Sequence, residues 1–211
     1  MTDFNALIRE AMTRGRVADI KTHITAALES GIDAGTILNG ALISTMEIIG
    51  EKFSKNQVFI PEVMMAARAM NEGLAILKPR LIGSGVKPLG KVIICTVKGD
   101  SHDIGKNLVK IMLEGVGLEV IDLGSNVPTE KVIETVKATG ISIVCLSALL
   151  TTTMPNLKLV IEKLKEEGLK DKVKVLVGGA PVTQEYADSI GADGYSPDAA
   201  GAARLVKSFL I

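Results

Sequence analysis

The stretch Lys91–Leu113, KVIICTVKGDSHDIGKNLVKIML, decides the fold. Val92–Val97 is an unbroken apolar run of strand length, which implies burial on both faces. A short polar loop follows, and Ile104–Leu113 then reads as a helix. The same unit recurs downstream. Leu118–Leu123, Ile141–Leu146, Val173–Val177 and the short Gly194–Tyr195 read as strands. Thr129–Ala138 after Pro128, Asn156–Glu167, Thr183–Ile190 and a last segment from Pro197 read as helices. Alternating apolar strands and helices imply a parallel sheet with helices on both faces. Five strands fit a flavodoxin-like doubly wound sheet, whose ligands bind at the carboxyl ends of the strands.

Upstream of this stretch the period changes from two to 3.6. Leu7, Ile8 and Met12 share one helical face, and Ile20, Ile24 and Leu28 another, with Gly31 placed to end that second helix. Asp33 can cap a third helix carrying Ile37, Leu38, Ala41, Leu42, Met46 and Ile49. A fourth begins near Pro61, presents Val63, Met64, Ala67, Met70, Leu74 and Leu77, and is expected to end before Pro79. Met64, Met65 and Met70 are read as bundle core. Ile82–Pro88, rich in Gly, Ser and Pro, reads as a linker that is flexible around Gly83–Gly85. The expected organisation is therefore α/β: a four-helix bundle cap over residues 1–85, then a doubly wound parallel five-stranded sheet over residues 90–211.

Charge excludes several functions. The 24 Lys and Arg balance 24 Asp and Glu, with nine of each sign up to residue 85 and fifteen of each beyond it. No basic footprint for nucleic acid remains, and with no Trp, two Tyr and four Phe a stacking platform for bases is not expected. No run approaches the ~18 apolar residues that span a bilayer, and the charged N-terminus lacks a signal-peptide core. Cys95 and Cys145 lie in separate apolar runs without metal spacing, which suits free thiols in a reducing, cytoplasmic setting.

The loop after the first strand carries the chemistry. It has neither the GxGxxG of dinucleotide sites nor the spacing of a P-loop, and Asp100 and Asp103 would repel phosphate. It does set Asp100 two residues before His102. An imidazole can give one nitrogen to a metal while a carboxylate holds the other N–H. The pair equally suits an exposed loop histidine beside a helix-capping aspartate, and on these residues alone both readings stand. A hydrolytic metal site built on Asp100, His102 and Asp103 would need ligands the chain does not supply, since its one other histidine is His23 in the helical half. A single imidazole better suits a metal already held by a macrocycle, haem or corrinoid. Aromatic residues for a haem pocket are sparse here.

Asp100-x-His102-x-x-Gly105, followed by Ser147-x-Leu149 and Gly178-Gly179, resembles the signature of cobalamin-binding domains. Phe59–Met70, FIPEVMMAARAM, is similar to the last helix of the cap that precedes this domain in methionine synthase and in small corrinoid methyl carriers. The likeness covers nearly the whole chain. It implies that His102 is the lower axial ligand to cobalt, that Asp100 holds His102, and that Asp100 and Ser147 form a proton relay. It implies cofactor contacts over Gly99, Asp100, Ser101, His102, Asp103, Ile104 and Gly105 and at Thr153. The nucleotide tail would lie in a slot lined by Ser147, Leu149, Thr151, Gly178, Gly179 and Ala180, closed by a last loop with Tyr195, Asp198 and Ala199. A residue near Phe59 or Val63 would cover the upper cobalt face. The implied function is a non-catalytic corrinoid protein that carries a methyl group on cobalt between a substrate-specific methyltransferase and a methylcorrinoid:acceptor methyltransferase. The acceptor would be tetrahydrofolate or a thiol coenzyme, and a reductive activator of cobalt is a further expected partner. A corrinoid-binding sensor or regulatory module is the alternative, with a fold-only likeness behind it.

Overall fold

The computed structural model describes residues 2–84 and 87–210. The chain divides into two compact units, one running to Pro88 and taking in Gly115–Gly117, the other comprising Leu89–Glu114 and everything from Leu118.

The first unit is helical. Its elements are α1 (Phe4–Thr13), α2 (Val17–Glu29), α3 (Ala34–Ile37), α4 (Ser44–Ser54) and α5 (Ile60–Ser84). Asp3 and Asp33 cap α1 and α3 by accepting the Ala6 and Thr36 N–H groups, each at 3.0 Å. At the start of α5, Glu62 reaches back to the Phe59 N–H at 2.8 Å. Ile8, Met12, Ile20, Ile24, Ile37, Leu42, Met46 and Leu77 form a fully buried core.

Three features depart from the sequence reading. The third helix is not continuous: Leu38–Ile43 is a π-helix, in which the Ser44 N–H reaches the Asn39 carbonyl five residues back. There the Gly40 carbonyl accepts Arg9 Nη2 at 2.6 Å, Arg9 Nε at 3.1 Å and Ser44 Oγ at 2.8 Å. Secondly, α5 runs through Pro79 to Ser84. An interior proline costs a helix about 3 kcal/mol. Here the buried stripe continues past it, with Leu77 and Leu81 one turn apart and both buried, so packing outweighs the loss. Ile82–Ser84 are therefore helix rather than linker, and Gly85 lies outside the described residues. Thirdly, Met70 is core, but Met64 and Met65 are about half exposed, and Phe59 is 63% exposed while Val63 is buried.

The second unit is a five-stranded, all-parallel sheet in the order β2-β1-β3-β4-β5. Its strands are β1 (Lys91–Thr96), β2 (Glu119–Asp122), β3 (Ile143–Ser147), β4 (Lys174–Gly178) and β5 (Gly194–Tyr195). The helices between and after them are α6 (Ile104–Gly115), α7 (Thr129–Thr139), α8 (Pro155–Glu166), α9 (Gln184–Ile190) and α10 (Ala199–Ser208). Ile93, Cys95, Val97, Val144, Leu146, Val175 and Val177 pack on one face with apolar residues of α7, α8 and α9. Leu176 points to the other face, near Leu205 of α10 and Phe209 just after it. Strand ends move by one or two residues from expectation. Leu118 and Val173 are buried without joining the ladder, because their N–H groups close turns onto the Leu113 and Lys170 carbonyls. The strand order reverses between β1 and β3, and a doubly wound sheet opens its ligand crevice at such a point.

Candidate functional site

Ladder pairs Thr96↔Ser147, Ser147↔Gly178 and Val177↔Tyr195 bring the ends of β1, β3, β4 and β5 side by side. The expected site residues at these strand ends therefore share the carboxyl edge of one sheet.

Asp100 is the organising group. Its side chain is fully buried, yet both oxygens are occupied. Oδ1 accepts the His102 backbone N–H at 3.0 Å and lies 2.8 Å from His102 Nδ1. Oδ2 accepts the Leu149 N–H at 2.8 Å, the Leu150 N–H at 3.3 Å and the Thr153 hydroxyl at 2.7 Å. Burial alone would push this carboxyl up, but the donors from Thr153, His102 and Leu149 outweigh it and hold the group well below the usual carboxylate range. It is ionised at neutral pH.

An ionised carboxylate only accepts, so Nδ1 of His102 must carry the proton. In the neutral form of the ring, which is half-exposed, Nε2 then carries the lone pair that a metal could take. The buried Thr96 hydroxyl donates to the His102 carbonyl at 2.9 Å and ties the ring's backbone to β1. Among the described residues no group of three or more His, Cys, Asp or Glu side chains gathers as a metal site.

In this structure Ser147 is not the residue whose hydroxyl meets Asp100. The hydroxyl on Asp100 belongs to Thr153, while Ser147, at the end of β3, offers its carbonyl to the Val97 N–H at 3.0 Å. Thr153 Oγ1 also lies 2.9 Å from the Leu150 carbonyl. With one proton it serves one acceptor at a time, and the charged carboxylate is the stronger.

The two glycines at the end of β4 differ in role. At Gly178 a Cβ would meet nothing within 4 Å, so the residue borders open space. At Gly179 φ is +132° and a Cβ would fall 1.9 Å from the Ala148 carbonyl oxygen. Only glycine lets these two backbones pass so closely. Gly105 also borders open space. Around His102 the surface is apolar without being core: Ile104 is 76% exposed, and Leu149 and Leu150 about 40%.

The remaining candidates separate by environment. Gly99, Ser101, Asp103, Thr151 and Ala180 are exposed, and Asp103 Oδ2 accepts Asn107 Nδ2 at 3.1 Å. Tyr195 packs against the core, Ala199 is buried, and Asp198 caps α10 by accepting the Gly201 N–H at 2.8 Å. Sequence reasoning missed two residues that hold the Asp100 loop. Asn156 Nδ2 donates to the Lys98 carbonyl at 2.7 Å, and Asn126 Oδ1 accepts the Gly99 N–H at 2.7 Å. The positive φ of Asn126, which Asn tolerates better than most residues, is the signal its sequence could have offered.

One fixed imidazole, an exposed apolar rim and open space beside two glycines suit a flat group that brings its own metal. Residues 90–204 match the family model described as "B12 binding domain", and residues 6–78 match a second model of the same description. The chain belongs to the B12-binding family and, within it, to the corrinoid proteins. It is 45% identical to the trimethylamine corrinoid protein of Methanosarcina barkeri over 87% of this chain and 86% of that protein. It is 40% identical to dimethylamine corrinoid protein 1 of Methanosarcina mazei over 100% and 99%. Among solved structures it resembles a chain of the methanol:cobalamin methyltransferase complex of M. barkeri, with a TM-score of 0.87, 33% identity, and coverage of 99% of this chain and 80% of that one. Among the described residues no helix is long and apolar enough to cross a membrane.

Proposed function

We propose that this chain is a methyl carrier that holds its corrinoid in the unit of residues 90–211, following the helical unit of residues 1–85. The observation that carries the reading is the Asp100–His102 pair: a fully buried, ionised carboxylate 2.8 Å from Nδ1 of a half-exposed imidazole. In this reading His102 Nε2 would hold the cobalt of the corrinoid. Asp100 fixes its tautomer and raises its basicity, and Thr153 donates to Asp100. The bound corrinoid supplies a cobalt centre that accepts and releases a methyl group. Ile104, Leu149 and Leu150 exclude water around His102. The space beside Gly178, bordered by Ser147, Leu149, Thr151 and Ala180, would receive the nucleotide tail, while Gly179 keeps the loop after β3 close enough to form that wall.

The partners in this reading are a substrate:corrinoid methyltransferase and a methylcorrinoid:acceptor methyltransferase, with a reductive activator for cobalt. The relatives named for trimethylamine and dimethylamine support a methylamine as the methyl source. Two buried free thiols fit a reducing, cytoplasmic location.

The test is a visible absorption titration of the anaerobic chain with hydroxocobalamin, beside the variant His102→Ala. The expected result is stoichiometric binding with the nucleotide base displaced from cobalt, and a different spectrum for the variant. No retention of cobalamin refutes corrinoid binding, and an unchanged variant spectrum refutes the axial role of His102.

A further inference from the structure

The loop that presents His102 is held from outside its own strand, and the holder is a surface asparagine. Asn126 lies between β2 and α7, is exposed, and has φ +54°, a left-handed conformation that strains most side chains. Nothing in core packing calls for this residue. Its contacts are directed instead: Oδ1 accepts the Gly99 N–H at 2.7 Å, and its own N–H donates to the Asp100 carbonyl at 2.8 Å. Gly99 and Asp100 are thus gripped on both sides of one peptide unit, immediately before the carboxylate that orients His102.

The base of this grip is an ion pair that the proposed function leaves unused. Lys106, only 3% exposed, puts Nζ 2.7 Å from both oxygens of Asp122 and 2.7 Å from Asn107 Oδ1. Asp122 Oδ1 also accepts the Gly124 N–H at 2.9 Å, which sets the turn leading to Asn126. The Gly124 carbonyl accepts the Thr96 N–H at 3.0 Å, so the turn is sewn to β1. The pair of buried Lys106 and half-buried Asp122 therefore fixes the position from which Asn126 reaches the histidine loop.

We propose that Asn126 is a positioning residue for His102, acting through the Gly99–Asp100 peptide from a turn anchored by Lys106 and Asp122. The proposal rests on the reading of His102 as the cobalt ligand, and its test separates the two. Asn126→Gly keeps the backbone conformation and removes the acceptor. Asn126→Asp keeps the acceptor and tolerates the same φ.

In the full chain without corrinoid, amide hydrogen exchange is followed at Gly99, His102 and Leu149, the last two donating to Asp100. Asn126→Gly is expected to speed all three by about two- to tenfold, the worth of one hydrogen bond. Asn126→Asp should leave them near the parent values. With hydroxocobalamin, Asn126→Gly should weaken binding by about two- to tenfold and lower the fraction of bound cobalamin whose spectrum shows histidine coordination, with Asn126→Asp restoring both. Faster exchange confined to Gly99, or equal losses in the Gly and Asp variants, overturns the proposal. If the parent and His102→Ala give identical cobalamin spectra, the ligand reading fails instead, and the exchange data still decide whether Asn126 holds the loop.

Discussion

Replacing Gly179 by alanine puts a methyl carbon 1.9 Å from the Ala148 oxygen, where real contacts essentially never fall below 3.0 Å. To regain ordinary contact that carbonyl must retreat by roughly 1.5 Å. It cannot do so alone. The Ala148 N–H is bonded to the Gly178 carbonyl at 3.0 Å, and the next N–H, Leu149, to Asp100 Oδ2 at 2.8 Å. The strained φ costs about 1–3 kcal/mol and a lost bond to a charged acceptor about 1.5–3 kcal/mol. A total of about 2.5–6 kcal/mol lowers the melting temperature by roughly 5–24 °C for a chain of this length. Scanning calorimetry on the corrinoid-free chain, with far-UV circular dichroism to follow unfolding, measures it. Gly178→Ala is the control: its methyl enters open space, so its melting point should stay within about 2 °C of the parent. The reasoning is refuted if Gly179→Ala also melts within that margin, or if Gly178→Ala falls as far.

The same control has a second use, because filling the space beside Gly178 should weaken hydroxocobalamin binding at least about tenfold while leaving the corrinoid-free fold intact; an unchanged dissociation constant would remove the tail from that space. Thr153→Val strips a donor from buried Asp100 and should destabilise the chain by about 1–3 kcal/mol, whereas Ser147→Ala should cost about 0.5 kcal/mol or less; urea unfolding distinguishes them, and the reverse order would return the relay to Ser147. Burial would raise the Asp193 carboxyl, but hydrogen bonds from Lys170, the Val175 N–H and Lys174 outweigh it and hold the group below its usual range. Its stabilisation is therefore full above the unfolded value of about 4 and fades as pH falls through the lower folded value. The stability gap between parent and Asp193→Asn should accordingly shrink below pH ~4, and a gap constant with pH would contradict the assignment.

The parts of this molecule that were legible in its sequence are those encoded by near neighbours. The three central strands β1, β3 and β4 announce themselves as largely apolar runs, and Asp100 and His102 sit two apart in one loop. Apolarity reports burial rather than pairing, however, which is why Leu118 and Val173 read as strand yet lie just before β2 and β4. The π-helical segment depends on Arg9 reaching the Gly40 carbonyl across 31 residues, and no local pattern records that contact. Thr153 was expected beside the cofactor, but its bond to Asp100 escaped for the same reason. It stands 53 residues from Asp100, and only the turn after Leu149 aims its hydroxyl. The role of Lys106 likewise depends on Asp122, 16 residues on, which lies beside its ammonium group.

The π-helical turn at Leu38–Ile43 has a consequence for how chains of this kind can vary in length. A π turn carries one residue more than the α turn it interrupts, and the surplus is accommodated locally, with Arg9 and Ser44 serving the Gly40 carbonyl. Deleting one residue here would let α3 and α4 merge into a single regular helix while both keep their inward faces. A deletion anywhere else along α4 or α5 would rotate everything after it by about 100° and turn core residues such as Met46 or Leu77 toward water. Single-residue gaps between related chains should therefore collect at this turn.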